Sequence, residues 1–451
     1  MRASRVIVGL DLGTSTCKAL ALDPFGVEVA LARMRTPWHE ADGTLAMSAA
    51  EVTQLVHDLL GRLGAQTGGA SISAIGVTGF AESGFLFDEA GDVRSDAYVW
   101  HASLGGEALD GLRRQFGDAL DGMTGLRRLE LCSALRIRWL TDRKPRRGLG
   151  WASVPEWVAR QLGGRVAAEY SLAARTGLFD VTERRWSPEL VRWAGLDVAH
   201  MPMPLPAGTP LGTIRNGVKA DDGAPVIVAG HDHLAASIGA GALAQDCAFD
   251  SFGTAEVVVR FLPRARVHAE LADAVRSGCT RGPHVVGDRD YVFVGLDSGR
   301  ALQDVLRYLG IPPEGTGGLE DAARRIDRAA AADLAARLFD PAGRFLPPAG
   351  DVPSALVWRS ALEFTADRCG TALTRLDEGF GPRSSVVAAG GWYGSGLVRE
   401  IRRRRIPDLR VPHAVEAGAR GAARLAAVAA GIIPTLATWP DADATAGSRA
   451  T

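Results

Sequence analysis

Lysine is almost missing from this sequence: three residues, at positions 18, 144 and 219, among 51 basic residues. Positive charge is carried by arginine, so a lysine in a polar turn stands out as a specific choice. Cysteine is also scarce. The five residues, at 17, 132, 247, 279 and 369, are odd in number and lack CxxC spacing, which supports neither a disulfide framework nor a structural zinc site. Excess charge is missing too, with a formal net charge of −1, so no global field attracts nucleic acid or an anionic membrane. No segment approaches the roughly eighteen apolar residues of a membrane span. The opening MRASRVIVGLD holds an apolar run too short for a signal peptide, and a cytoplasmic location is expected. No glycine is followed by lysine, which removes the Walker phosphate loop, and GGWYGSG (390–396) does not match GxGxxG, which disfavours a dinucleotide fold.

What is present is enough for a large interior: 451 residues, 47% hydrophobic, predicting two domains or three lobes. Alternation and β-branched runs predict strands at Val6–Leu10, Cys17–Leu22, Ile72–Thr78, Gly84–Phe87 and 225–229, with an amphipathic helix over Ala49–Leu63. Residues 105–200 read as mainly helical, with breaks at 144–148 and near Ser187–Pro188. The proline-rich 201–212 reads as a connector. One alanine-rich helix is predicted over Glu320–Phe339, a strand over 384–391 running into glycines, and helices in LVREIRRRRI and AGARGAARLAAVAAG. The stretch from Thr438 is polar and alanine-rich.

GLDLGTSTCK (9–18) turns between two strands through Gly13, Thr14 and Ser15. Backbone N–H groups and hydroxyls at such a tip suit phosphate oxygens, with Asp11 to hold Mg²⁺ and Lys18 to offset charge; the same residues also make an ordinary polar hairpin. The pattern returns about 240 residues later, where Ser251-Phe252-Gly253-Thr254 repeats Asp11-Leu12-Gly13-Thr14 and points to two related lobes. Asp232 follows a buried strand and begins a helix, a position that suits a general base or a helix cap. His231 and His233 flank it, but alternate positions on an extended strand do not make a metal site. GVTGFAESGFLFD (76–88) puts Glu82 and Ser83 on a turn that could meet sugar hydroxyls or be a plain hairpin. The run Arg402–Arg405 lacks aromatic interleaving and reads as a solvated helix end or subunit contact.

In order along nearly the whole chain, DLGTSTCK, AGHDH, DSFGTAE, SVVAAGGWYGSGLVREI and VEAGARGAARLAAVAAG resemble the FGGY family of carbohydrate kinases. The resemblance implies an α/β, two-lobed actin-like ATPase (ribonuclease H-like) fold, with duplicated mixed sheets flanked by helices and the active site in the interlobe cleft. The lobes would be 1–243 and 244–437, followed by a tail, 438–451. It implies Asp232 as catalytic base and Asp11 on Mg²⁺. ATP would be held by Gly13, Thr14, Ser15, Lys18, Gly253, Thr254, Gly299, Gln303, Gly390, Gly391 and Ser395. The substrate would meet Phe80, Glu82, Trp100, His101, His231 and Asp232.

Three departures fall on the substrate side. YVWHASLGGE (98–107) lacks an expected acid and arginine, LCSALRIRWL (131–140) has Arg136 in a lysine position, and FLPPAGDVPSALVWRSALEF (345–364) shortens a rim loop. Glu82 sits where glycerol kinases have a substrate-contacting glutamate. A carboxylate there disfavours an acidic substrate unless a cation intervenes, so a neutral sugar or polyol is expected, D-xylulose first. The alternatives are an aldonate kinase of the gluconate type and a catalytically weak binding protein with the kinase fold. The partner is expected to be the small molecule alone, with a homodimer as the base-rate assembly.

Overall fold

The computed structural model describes residues 4–439 except Pro145, Thr254, Pro313, Glu314 and 413–415. The chain forms two compact units, one made of 1–243, 261–292 and 413–451 and the other of 244–260 and 293–412. The path passes between units four times, with 243/244 the first crossing.

In the first unit, a six-stranded sheet has the order Pro210–Thr213, Pro225–His231, Ser71–Gly79, Arg5–Leu12, Thr16–Leu22, Glu28–Arg35. The three strands that open the chain form an antiparallel meander. Arg5–Leu12, Ser71–Gly79 and Pro225–His231 are mutually parallel, so their carboxyl ends share one edge, where open α/β sheets place their chemistry. The register sets Asp11 opposite Lys18 on one side and beside Thr78 on the other, and His231 beside Gly79. The helix predicted at 49–63 runs over Ala49–Thr67, started by a Ser48–Glu51 capping box and stopped by Gly68 at φ 70°.

The Ala417–Ala429 helix explains its own composition. Its backbone touches the sheet and a second helix, Asp232–Gly239: a Cβ on Gly9 would lie 1.8 Å from the Ala419 carbonyl oxygen, one on Gly76 2.1 Å from that of Ala422, and one on Gly421 1.8 Å from that of Ala235. Only hydrogen fits at those crossings. Packing this close holds the helix that begins at Asp232 against the strands that carry Asp11.

In the second unit, Ala248–Phe252 pairs antiparallel with the 256–260 part of the Glu256–Pro263 strand and parallel with Val386–Ala389, which pairs with Leu409–Arg410. The strand, turn, antiparallel strand and adjoining parallel strand repeat the arrangement around Asp11. A buried Arg402 sits among Asp250 and Glu256, its Nη1 2.6 Å from Glu256.

Three expectations change. The single helix at 320–339 is two, Gly317–Arg324 and Arg328–Leu338, because Asp327 adopts an extended conformation and its carboxylate accepts from Ala330 N–H at 2.9 Å. The connector at 201–212 contains Pro204–Leu205 and the start of the Pro210–Thr213 edge strand, an edge position where a proline costs no ladder hydrogen bond. The region 105–200 interleaves its helices with short strands, among them Gly150–Ser153, which pairs with Gly84–Phe87, and the break near Ser187 is a helix start, with Ser187 capping Pro188–Trp193.

Candidate active site

Asp11 lies one residue before the end of its strand and is buried. Burial pushes its carboxyl up to about 6, Lys18 pulls the other way, and the nearby Asp232 and Glu416 carboxylates add to the rise. Its Oδ2 is 3.7 Å from Lys18 Nζ, whereas Glu416 Oε2 is only 2.8 Å from the same ammonium. Burial alone would lower the Lys18 pKa, but Asp11 and Glu416 outweigh it and raise it. Gly418, in the first turn of the Ala417–Ala429 helix, leaves room for Asp11: a Cβ there would stand 2.7 Å from Asp11 Oδ2.

The Gly13–Ser15 turn is tied down from three sides. Thr36 Oγ1 donates to the Gly13 carbonyl at 2.6 Å, Trp38 Nε1 donates to the Thr14 carbonyl, and Trp100 Nε1 donates to Thr14 Oγ1 at 3.0 Å. Ser15 is exposed. Trp100 thus meets the turn, with His101 edge-on to its ring at 5.0 Å. Phe80 packs in the core against Trp38, centroids 5.8 Å apart.

Asp232 opens its helix at the end of the Pro225–His231 strand. Its Oδ1 accepts from its neighbour's backbone, His233 N–H, at 2.7 Å and lies 3.2 Å from His231 Nε2. Burial would raise its pKa, but His233, His231, the backbone hydrogen bond and Lys18 together hold it below the ordinary carboxylate range, so it is ionised at neutral pH. Burial drives His231 down to about 3, which leaves that imidazole neutral. Behind it, the His231 N–H donates to Ser171 Oγ at 3.0 Å, and Ser171 donates to Glu169.

Glu82 is buried in the left-handed region, φ 65°, a conformation that costs a non-glycine residue about 1–2 kcal/mol. What holds it is visible. Its carbonyl accepts from Arg136 at 2.9 Å and Ser133 Oγ at 2.8 Å, and its carboxylate pairs with Arg175, Nε to Oε1 2.6 Å. Arg136 also donates to the carbonyls of Trp100 and Leu131 at 3.0 and 2.9 Å, so the arginine in the lysine position pins the loops that carry Glu82 and Trp100. Tyr291 adjoins Arg175 and Glu82; burial raises its hydroxyl to about 12.

On the second unit, the Gly253 N–H donates to the Ala255 carbonyl at 3.0 Å; Thr254 lies outside the described residues. Gly299 and Gln303 share the Ser298–Tyr308 helix. Gly390, φ 123°, abuts the Phe252 carbonyl, where a Cβ would come within 2.3 Å. Gly391 faces open space, and Ser395 Oγ caps the Gly396–Arg405 helix by accepting from Val398 N–H at 3.1 Å.

Among the predicted residues, the structure brings Asp11, Lys18, His231 and Asp232 together at one sheet edge, and sets Trp100, with His101 against its ring, onto Thr14 of the turn. Arg175 and Glu416 escaped the sequence reading. Glu416 had a signal, since it immediately precedes the small-residue helix, whereas no local pattern singles out Arg175.

The model of the FGGY family of carbohydrate kinases, N-terminal domain, matches residues 6–239. L-Fuculokinase of Escherichia coli K12 is 25% identical over 271 residues, 56% of each chain, so the match spans little more than half of that relative. A glycerol kinase of Polaromonas is 26% identical over 460 residues, covering 94% of this chain and 91% of its own. Among solved structures, a xylulose kinase from Rhodospirillum rubrum superposes with TM-score 0.81 at 20% identity, covering 98% of this chain and 92% of its own. A gluconate kinase from Lactobacillus acidophilus also gives 0.81, at 17% identity with coverages of 96% and 90%. These neighbours have the two-domain actin-like ATPase fold.

Proposed function

The chain belongs to the FGGY family of carbohydrate kinases, and on that premise we propose that it transfers the γ-phosphoryl group of ATP to a hydroxyl of a small neutral sugar or polyol, a ketopentose such as D-xylulose being the first to test. The observation that carries the reading is Asp232, kept ionised at a strand–helix junction and in electrostatic reach of Asp11 and Lys18. Its carboxylate takes the proton as the hydroxyl oxygen bonds to the γ-phosphorus and the bond to the β-phosphate oxygen breaks, releasing ADP. His231, neutral, orients Asp232 through the 3.2 Å contact. Lys18 offsets negative charge on the transferring group, and the Gly13–Ser15 turn offers N–H groups to phosphate oxygens.

Asp11 fits Mg²⁺. It is a buried carboxylate whose ion pair with Lys18 is long, and burial has left its charge undercompensated, the oxygen donor a hard cation prefers. Bound there, Mg²⁺ supplies charge neutralisation at the phosphates. On the second unit we assign nucleotide contacts to Gly253, Thr254, Gly299, Gln303, Gly390, Gly391 and the backbone at Ser395, whose hydroxyl is already engaged in its helix cap.

One second reading has its own support. Arg175 is the intervening cation that cancels the objection Glu82 raised to an acidic substrate, so an aldonate belongs in the panel. The test is ADP release with D-xylulose, glycerol, L-fuculose and D-gluconate. One substrate should raise turnover well above basal hydrolysis, and Asp232→Asn should lower it about 10²–10⁴-fold. No substrate-dependent ADP, or near wild-type turnover in Asp232→Asn, overturns the reading.

A further inference from the structure

Lys18 does not rest on Asp11, its cross-strand partner. Its ammonium is 2.8 Å from Glu416 Oε2 and 3.7 Å from Asp11 Oδ2, although the hairpin register puts Asp11 and Lys18 directly opposite each other. Something draws the ammonium away from the nearer residue in sequence. Glu416 does so from the start of the Ala417–Ala429 helix, and it is itself braced: Arg33, from the third strand of the meander, donates to Oε1 at 2.8 Å. One carboxylate therefore bridges two cations, one on each oxygen.

The backbone at Glu416 is unusual. It lies at φ 57°, ψ 58°, the left-handed region that a glutamate, unlike glycine, enters only against steric resistance from its Cβ. A strained, non-glycine residue persists when its surroundings over-determine it, and an observed outlier of this kind points to a role for the side chain it aims. The two ion pairs are the visible return. The helix itself cannot shift to absorb a change, because Gly9, Gly76 and Gly421 hold its backbone against neighbouring backbone. Glu416 is thus delivered to Lys18 by a rigid support.

We propose that Glu416 is a positioning residue for Lys18: it holds the ammonium off Asp11, so that Asp11 keeps its oxygens for a cation while Lys18 stays aimed at an incoming phosphate. The kinetic part rests on the phosphotransfer reading; the hold itself does not.

The scarcity of lysine makes the hold measurable without turnover. Reductive ¹³C-methylation keeps the charge and labels three lysine side chains, so Lys18 has its own NMR signal, identified by its loss in Lys18→Arg. In folded Glu416→Gln that signal should move while those of Lys144 and Lys219 stay, and Arg33→Met, which alters only the exposed brace, should move it the same way by less. ATP binding, followed by calorimetry, should weaken. In turnover with the active sugar, kcat should fall roughly tenfold to a hundredfold, the cost of a misplaced charged group, with the sugar KM unchanged, and Glu416→Asp should recover part of it. An unmoved Lys18 signal in both variants overturns the hold. A moved signal with wild-type ATP binding overturns the positioning role, whether or not any sugar is phosphorylated. If no sugar is phosphorylated, the phosphotransfer reading fails alone, and signal and ATP binding still decide the inference.

Discussion

Asp11 shows how one side chain's environment can be separated into opposed causes. Burial raises its carboxyl, Lys18 opposes, and two further carboxylates push the same way as burial. The space it occupies exists because residue 418 is glycine. Gly418→Ala is informative because helix propensity alone predicts a gain of about 1 kcal/mol, while the new Cβ would meet Asp11 Oδ2 at 2.7 Å and Cγ at 3.0 Å. We expect an unchanged or higher melting temperature together with a higher Mg²⁺ requirement for turnover, read from a Mg²⁺ titration. A fall in melting temperature with an unchanged Mg²⁺ requirement would refute the placement. At this scale the sequence reached Asp11, Lys18 and Asp232, since their spacing to strand ends is local. It did not reach Arg175, because its partner Glu82 is 93 positions away and nothing in either local pattern names the other. For the same reason it read Glu82 as an uncompensated charge.

Elements carry these residues, and two of them invite tests. The Ala417–Ala429 and Asp232–Gly239 helices meet through backbone, with Gly421 against the Ala235 carbonyl. Gly421→Ala should cost about 3 kcal/mol or more, at or beyond the upper range of overpacking, because backbone and not a flexible side chain must yield; urea unfolding measures it. The Val154–Gln161 helix is started by Glu156, which accepts from Ser153 N–H at 2.7 Å and from Glu169 N–H at 2.8 Å. Glu156 and Glu169 are both raised to about 7, burial being the largest cause. A carboxyl raised on folding favours the folded state while it is protonated. Its contribution is fully present below the unfolded value near 4.5 and is lost as pH climbs through about 7. For Glu169 alone the loss is at most about 3 kcal/mol. Glu169→Gln should flatten the decline in melting temperature between pH 5 and 8; an unchanged slope would mean that Glu169 ionises normally. The long strands and amphipathic helices at this scale were legible from periodicity, but short strands such as Gly150–Ser153 and Pro204–Leu205 were not, nor was the split at Asp327, because the alanine-rich pattern runs through the cap.

Across the molecule, all five cysteines are buried thiols outside any disulfide, and burial lifts Cys17 to about 12 and Cys247 to about 11. Thiolate is the reactive form, so a chromogenic disulfide reagent at pH 8 should label almost nothing in the native chain and five thiols per chain after denaturation; rapid native labelling would mean that the interior opens locally. Composition had already argued against disulfides, and the family and the two-lobed fold followed from the resemblance carried by the ordered motifs, while hydrophobic periodicity and turn chemistry, which act over a few residues, reached local elements. The sequence could also name residues whose chemistry suits phosphate. Tertiary structure alone decided which charges meet: that Glu82 is paired with Arg175, that Arg136 clamps four backbone carbonyls, and that Lys18 rests on Glu416. Arg33 and Glu416 stand 383 positions apart. A Coulomb interaction depends on distance in space and on burial, and a linear pattern encodes neither until the glycine-lined helix has docked.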